Sequence, residues 1–409
     1  VQRLLAADPK LARDPAALRL AAREGHLFVC QLLLRCGAEV DVLAFEHVAR
    51  CACSGASRDP SRQAGGLAPA ALARSPLRPR IFEAIDLAPF VRPSEYSDEA
   101  RAKSARAWDE SFRTIGFAVV EGHGVAPDLI EDMRTAAKVF FESPGDYKNR
   151  FFRGPQMTGR SGYSPVGASN AEHSDPVEGY MFMRYQAHGW KNPGETHPDE
   201  LNGIGQRYCG EIERVMHALH RMSALALGLE ENYFDPFFQD PASVLVVSHY
   251  PPLRPPPPQV KIHEGKLRYR AHSDYTGFTI LMQDETDFDE FGGGGLEIDI
   301  NGEWVPVKPK KGCFVINIGD LFETWTNDRW RSTPHRVVSP KLSSPAAARS
   351  RLTVMLFSGP ALDSIIAPIS TCVDEEHPAR YPAVPAADHL RGVYKTKSKE
   401  AVYKRQLKK

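Results

Sequence analysis

Apolar residues recur at helical spacing as far as Gly228, and short runs of β-forming residues take over beyond it. Residues 18–41 carry the helical spacing, punctuated by Gly25 and Gly37. A helix is expected over 97–115, with Trp108 and Phe112 on one face, and another over 127–141, where Pro127 suits the first turn. A longer helix is expected over 207–227, closed by Gly228. Between these, 53–80 is rich in Ser, Ala, Gly, Pro and Arg and reads as a linker, 116–120 as an apolar strand, and 154–198 as polar loop. Further strands are expected at 244–250, 278–283, 296–300, 304–307, 313–318, 335–339 and 352–357. Asn301-Gly302, between LEIDI and EWVPV, marks a two-residue hairpin. Many short strands between Gly- and Pro-rich turns predict a mostly β fold with flanking helices, a jelly-roll barrel.

Composition narrows the function classes more than it names one. Fifty-one basic and fifty-one acidic residues cancel to a formal net charge of zero, which argues against binding nucleic acid or an anionic membrane through bulk charge. No apolar run approaches the roughly 20 residues needed to cross a bilayer, and no secretory signal pattern opens the chain. Seven cysteines in 409 residues do not suggest a disulfide framework, so a reducing, cytoplasmic setting is expected. The cysteines at 30, 36, 51 and 53 lack zinc-finger spacing, and the glycine run 292–295 lacks the context of a phosphate loop.

The candidate chemistry lies among the strands. In His272-Ser273-Asp274 an extended backbone would point the first and third side chains to one face. A histidine on a distant strand, best His335, would complete a two-histidine, one-carboxylate set that suits non-haem iron(II) with open positions. The triplet alone is weak evidence, because fourteen histidines make roughly one chance occurrence expected. Indeed His173-Ser174-Asp175 and His197-Pro198-Asp199 share it, but the first runs into Pro176 and the second has proline at its centre. Arg351 and Thr353 fall on one face of the strand RLTVMLF and together suit a carboxylate, the guanidinium by a bidentate grip and the hydroxyl as a further donor. For Arg351 the alternative is an internal ion pair; Tyr250, ending VLVVSHY, is either a third donor or a core tyrosine.

These residues sit in motifs that resemble the iron(II)- and 2-oxoglutarate-dependent oxygenases of the isopenicillin N synthase-like family. The motifs are YPP (250–252), YRAHSDYTGFTILMQD (269–284), GGLEIDINGEWVPVKP (294–309), FVINIGDLFETWTND (314–328), STPHRVV (332–338) and RLTVMLFSGP (351–360). The earlier half adds IDLAPF (85–90), IGFAVVEGHGV (115–125) and DPVEGY (175–180). The resemblance implies a double-stranded β-helix barrel, Fe(II) held by His272, Asp274 and His335, and 2-oxoglutarate held by Arg351 and Thr353 with Tyr250 assisting. Serine is usual in the family where Thr353 stands. The implied activity is oxidation, chiefly hydroxylation, of a small organic molecule by dioxygen with release of succinate and CO2. A same-fold oxidase that does not use 2-oxoglutarate stays open, as does a partner-binding or sensor protein. Phe182, Arg184 and Tyr185 are candidates to face substrate, with ordinary packing the equal alternative.

Residues 18–41 also resemble one ankyrin repeat, which implies a small α-helical segment over 1–52 that could recruit a protein partner. The expected layout is that segment, the linker 53–80, an N-terminal cap region 81–200, a jelly-roll core 201–394 and a basic tail 395–409.

Overall fold

The computed structural model describes residues 82–154, 161–167, 175–184, 190, 198–253, 267–284 and 294–390. These all belong to the larger of the two units into which the chain divides, Pro76–Lys409. The expected ankyrin-like segment, the linker before residue 81 and the basic tail lie outside the described residues.

Helices gather in the first half, as the periodicity predicts. After strand β1 (Ala84–Asp86) and a short α1 (Ala88–Val91) comes α2 (Asp98–Thr114). The Ser97 hydroxyl accepts from Ala100 N at 3.3 Å, and Asp98 and Glu99 occupy the first turn, where they favour the helix dipole. Ala105, Trp108 and Phe112 form its buried stripe. Strand β2 (Phe117–Glu121) follows, then α3 (Pro127–Glu142), with proline at its first position, and α4 (Gly145–Asn149).

Residues 154–198 hold two strands where a polar loop was expected, β3 (Gly162–Ser164) and β4 (Glu178–Met183). Glu178, Tyr180 and Phe182 alternate into the core, but a leading glutamate and a glycine hide that period in the sequence. Helix α5 (Asp199–Ala226) begins eight residues before the expected start at 207. Gly203 and Gly205 weaken the helical signal there. At Gly205 the glycine serves close packing: a Cβ would lie 2.6 Å from the Phe182 ring.

Eight strands follow, β5 (Val244–Tyr250), β6 (Leu267–His272), β7 (Phe278–Met282), β8 (Gly295–Ile300), β9 (Glu303–Pro306), β10 (Phe314–Ile318), β11 (His335–Val338) and β12 (Arg351–Phe357), with α6 (Asp320–Trp325) after β10, and a separate two-stranded pair, Ile365–Ile366 with Val384–Pro385, comes last. The expected hairpin joins β8 to β9, where Asn301 and Gly302 both take positive φ, 56° and 89°.

Strands β1 to β12 form an eight-stranded sheet, ordered β1-β2-β10-β7-β12-β5-β4-β3, and a four-stranded sheet, ordered β6-β11-β8-β9. All the pairs are antiparallel except β1 with β2. The two faces of the large sheet differ in what covers them. Ala118, Val247, Ile280, Ile316, Val354 and their kin face α2, α3 and α5 in the main core. Phe117, Val119, Leu281 and Val315 face Leu296 and Ile298 of the small sheet. The result is a mostly β core with flanking helices, consistent with a jelly roll. Alternation by two sorts each strand's residues between helix side and inter-sheet side, and the inter-sheet side carries the chemistry.

Candidate active site

His272 ends β6 and His335 begins β11, and the two residues face each other directly across the antiparallel pair, with ring centroids 4.2 Å apart. Asp274 sits in the turn after β6, and backbone hydrogen bonds tie that turn from several sides. Asp320 N donates to Asp274 O at 2.9 Å, Gly319 N to Gly277 O at 2.8 Å, and Gly277 N to Ser358 O at 2.6 Å. Gly319 must lack a side chain, since a Cβ would lie 2.7 Å from Thr276 N and 3.0 Å from the carbonyl carbon of Asp274.

Three ligand-type atoms converge here: His272 Nε2 and His335 Nε2 each lie 3.8 Å from Asp274 Oδ1. The far side of each imidazole is engaged by backbone, His272 Nδ1 with Arg270 O at 2.9 Å and His335 Nδ1 with Thr333 O at 3.2 Å. Carbonyls only accept, so both Nδ1 atoms carry the proton and both Nε2 atoms offer a lone pair inward. Among the described residues this trio is the one set of metal-type side chains brought within reach of a single ion. Two nitrogens and one carboxylate oxygen fit ferrous iron.

Two residues that sequence reasoning missed complete the carboxylate. Thr279 Oγ1 and Asn317 Nδ2 both donate to Asp274 Oδ2, at 2.5 and 2.6 Å. A threonine inside FTILM and an asparagine inside FVINI were the available signals, polar residues in otherwise apolar buried strands. Burial pushes the Asp274 carboxyl up. His335, His272 and the two donors outweigh it and hold the group below its ordinary value. Asp274 is therefore ionised.

The second half of the expected site lies on the same inter-sheet face. Arg351 and Thr353 of β12 pair directly with Tyr250 and Ser248 of β5. Arg351, Thr353 and Tyr250 are 3%, 2% and 3% exposed. The Arg351 guanidinium stands 5.1 Å from the Tyr250 ring centroid, and that of the buried Arg268 5.7 Å. Burial pushes the Tyr250 phenol up against the pull of both arginines, so it is a neutral donor. Thr353 Oγ1 is buried beside it without forming a well-made hydrogen bond. A buried hydroxyl left unsatisfied is costly, and with a guanidinium at hand it suits an oxyanion. Tyr269 connects the two halves: its ring is 4.8 Å from that of His272, and it packs with Tyr250, Val177 and Val337.

Two of the described candidates are engaged elsewhere. Phe182 points to the helix side of the large sheet, and Arg184 is held by Glu213 Oε1 at 2.8 Å and Asp240 Oδ1 at 2.5 Å, so both are structural. Tyr185, His173 and His197 lie outside the described residues. Asp199 opens α5, and Asp175 is buried 3.7 Å from Arg270 Nε.

Comparison with known proteins agrees with this geometry. Residues 241–360 match the model of the 2OG-Fe(II) oxygenase superfamily, and residues 82–202 match that of the non-haem dioxygenase in morphine synthesis N-terminal region. The chain is 30% identical over 286 residues to gibberellin 20 oxidase 2 of Oryza sativa subsp. indica, covering 68% of this chain and 67% of that one. It is 28% identical over 343 residues to the 2-oxoglutarate-Fe(II) type oxidoreductase hxnY of Emericella nidulans, covering 79% and 92%. Among solved structures, the binary complex of the Arabidopsis thaliana dioxygenase for auxin oxidation 1 with 2-oxoglutarate superposes with a TM-score of 0.56 at 26% identity, over 73% of this chain and 99% of that one.

Proposed function

The chain belongs to the 2OG-Fe(II) oxygenase superfamily, and on that premise we propose that His272, Asp274 and His335 hold one ferrous ion while Arg351, Thr353 and Tyr250 receive the distal carboxylate of 2-oxoglutarate. The protein is an Fe(II)- and 2-oxoglutarate-dependent dioxygenase, an oxidoreductase that acts on a small organic molecule. Within the superfamily the motifs around β10 and β12 support a place among the isopenicillin N synthase-like, double-stranded β-helix members. The observation that carries the assignment of residues is the convergence of two Nε2 atoms on one carboxylate oxygen at 3.8 Å each.

When bound, iron supplies the activation of dioxygen, coupled to decarboxylation of 2-oxoglutarate to succinate and CO2 and to oxidation of a substrate C–H bond. The chain's own residues prepare for this in three ways. The Arg270 and Thr333 carbonyls hold the imidazoles in the tautomer that binds metal. Arg351 supplies a fixed positive charge and a planar fork, and the Tyr250 and Thr353 hydroxyls add donors, so the co-substrate is oriented before substrate arrives. Burial of Asp274, His335, Arg351 and Thr353 excludes water from the chelating end, and the more exposed His272 marks the side open for entry.

The test is succinate formation from 2-oxoglutarate. Wild-type protein with Fe(II) and oxygen should form succinate slowly alone and faster with a true substrate, and His272→Ala or His335→Ala should lose both rates. Full succinate formation by His272→Ala would sink the assignment.

A further inference from the structure

Asp274 Oδ2 accepts from two side chains at 2.5 and 2.6 Å, while Oδ1 accepts from neither and faces both Nε2 atoms. A carboxylate oxygen has about two lone-pair sites, so Oδ2 is saturated by protein donors and Oδ1 is left for a metal. We propose that Thr279 and Asn317 are a pair of positioning residues that keep Asp274 Oδ2 from binding metal, so that the carboxylate presents one oxygen only.

Three features support the pairing. Thr279 and Asn317 are direct cross-strand partners on β7 and β10, so the sheet itself fixes their spacing and aims both at one atom. Both are nearly fully buried in strands whose every other residue is apolar. Burying two polar side chains there costs stability unless each is satisfied, and Asp274 satisfies both. The backbone of Asp274 is independently held by Asp320 N, and Gly319 packs against it, so the side chain is the part left to be set. With one oxygen from Asp274, the protein contributes three ligand atoms and leaves half of an octahedral shell free. A carboxylate binding through both oxygens would take one of the positions a chelating 2-oxoacid needs.

This inference rests on the iron site proposed above, and its test separates the two. Metal-free wild type, Thr279→Val, Thr279→Ser, Asn317→Leu and His272→Ala are titrated with Co(II), following visible absorption, and then with 2-oxoglutarate without oxygen. Removal of a group that orients a metal ligand typically weakens metal binding about 10- to 100-fold. Thr279→Val and Asn317→Leu should each show that loss, an altered Co(II) absorption pattern and weaker 2-oxoglutarate binding to the Co(II) form. Thr279→Ser keeps the hydroxyl and should restore the wild-type pattern. Wild-type affinity and absorption in Thr279→Val, the nearly isosteric variant, would overturn the proposal even if Asn317→Leu fails to fold. Failure of wild-type protein to bind Co(II), or unchanged binding by His272→Ala, would remove the iron site and this inference with it.

Discussion

Replacement of Arg351 by leucine gives the sharpest test of the co-substrate pocket. Arg351 is 3% exposed, its guanidinium is 5.1 Å from the ring centroid of its cross-strand partner Tyr250, and it lies two residues from the buried Thr353 hydroxyl. A carboxylate entering this space leaves water, and the guanidinium is what repays its desolvation. Removing one partner of a buried ion pair costs about 3–5 kcal/mol, because the other charge is left uncompensated. At about 1.4 kcal/mol per tenfold, Arg351→Leu should weaken 2-oxoglutarate binding by roughly two to nearly four orders of magnitude. Arg351→Lys keeps the charge but loses the fork, a loss of about 1.5–3 kcal/mol, or roughly ten- to over a hundredfold. Thr353→Val removes one hydroxyl donor, for about 0.5–1.5 kcal/mol. The order Leu, then Lys, then Val is therefore part of the prediction. The assay is anaerobic titration of the Fe(II)-loaded protein with 2-oxoglutarate, read by visible absorption. A second reading is the rise in Tm at saturating 2-oxoglutarate, which should vanish in Arg351→Leu. If folded Arg351→Leu binds 2-oxoglutarate within about threefold of wild type, well short of even one lost charge-assisted bond, Arg351 is a structural arginine.

Two further predictions concern stability. His220 is 1% exposed among Phe234, Phe238, Phe278 and Phe322, neither ring nitrogen has a hydrogen-bond partner among the described residues, and burial holds its pKa well below the ordinary value. Below about pH 6.5 the unfolded chain takes up a proton that the native ring refuses, so wild type should lose about 1.4 kcal/mol per pH unit relative to His220→Phe; parallel urea-derived stabilities for the two proteins from pH 7 to 5 would contradict this. Glu178 is buried and accepts from Lys148 at 2.8 Å, Tyr163 at 2.5 Å and His249 at 2.9 Å; burial pushes its carboxyl up, but these donors hold it below the ordinary value. Glu178→Gln should cost about 1–3 kcal/mol by removing the charge that the half-buried Lys148 ammonium pairs with, leaving it Phe141 O at 2.9 Å, and adding Lys148→Met should recover much of that, with additive effects in urea melts as the contrary result.

How far the sequence reached depended on whether one residue or a neighbourhood carried the signal. Strand β5 is where its hydrophobic run ends, and the Asn301-Gly302 hairpin is where two positive-φ residues require it. The His-x-Asp triplet in strand-like surroundings is brought to a third ligand, His335, because position within the sheet and not composition makes a ligand set. What stayed illegible was relational. The start of α5 is hidden by Gly203 and Gly205, and at Gly205 the reason is the approach of Phe182 from another element. Strand β4 looks like loop because Glu178 is stabilised by Lys148, Tyr163 and His249, which lie up to 71 positions away. Thr279 and Asn317 gain their meaning only when β7 and β10 are aligned in register. Arg268, buried near Tyr250, carries no sequence signal that separates it from a surface arginine.

The division of the large sheet into two faces explains why so specific a site can sit on so ordinary a pattern. In β5, β7, β10 and β12 the residues that face the small sheet include Ser248, Tyr250, Thr279, Asn317, Arg351 and Thr353, and their immediate neighbours Val247, Ile280, Ile316, Leu352 and Val354 face the helices. A slip of one residue in any of these strands would send a polar group into the helix-side core and an apolar one into the site. The apolar core therefore enforces the register on which the site depends, and no separate device is needed to align Arg351 with Tyr250 or Asn317 with Thr279. The same coupling divides the consequences of mutation. Substitutions on the helix side, such as Val354→Ala, should lower stability by about 2 kcal/mol or more and leave metal and 2-oxoglutarate affinity near wild type in whatever protein stays folded. Substitutions of the polar inter-sheet residues Arg351 and Thr353 should act chiefly on ligand affinity, because these side chains answer to a ligand and not to the packed helices.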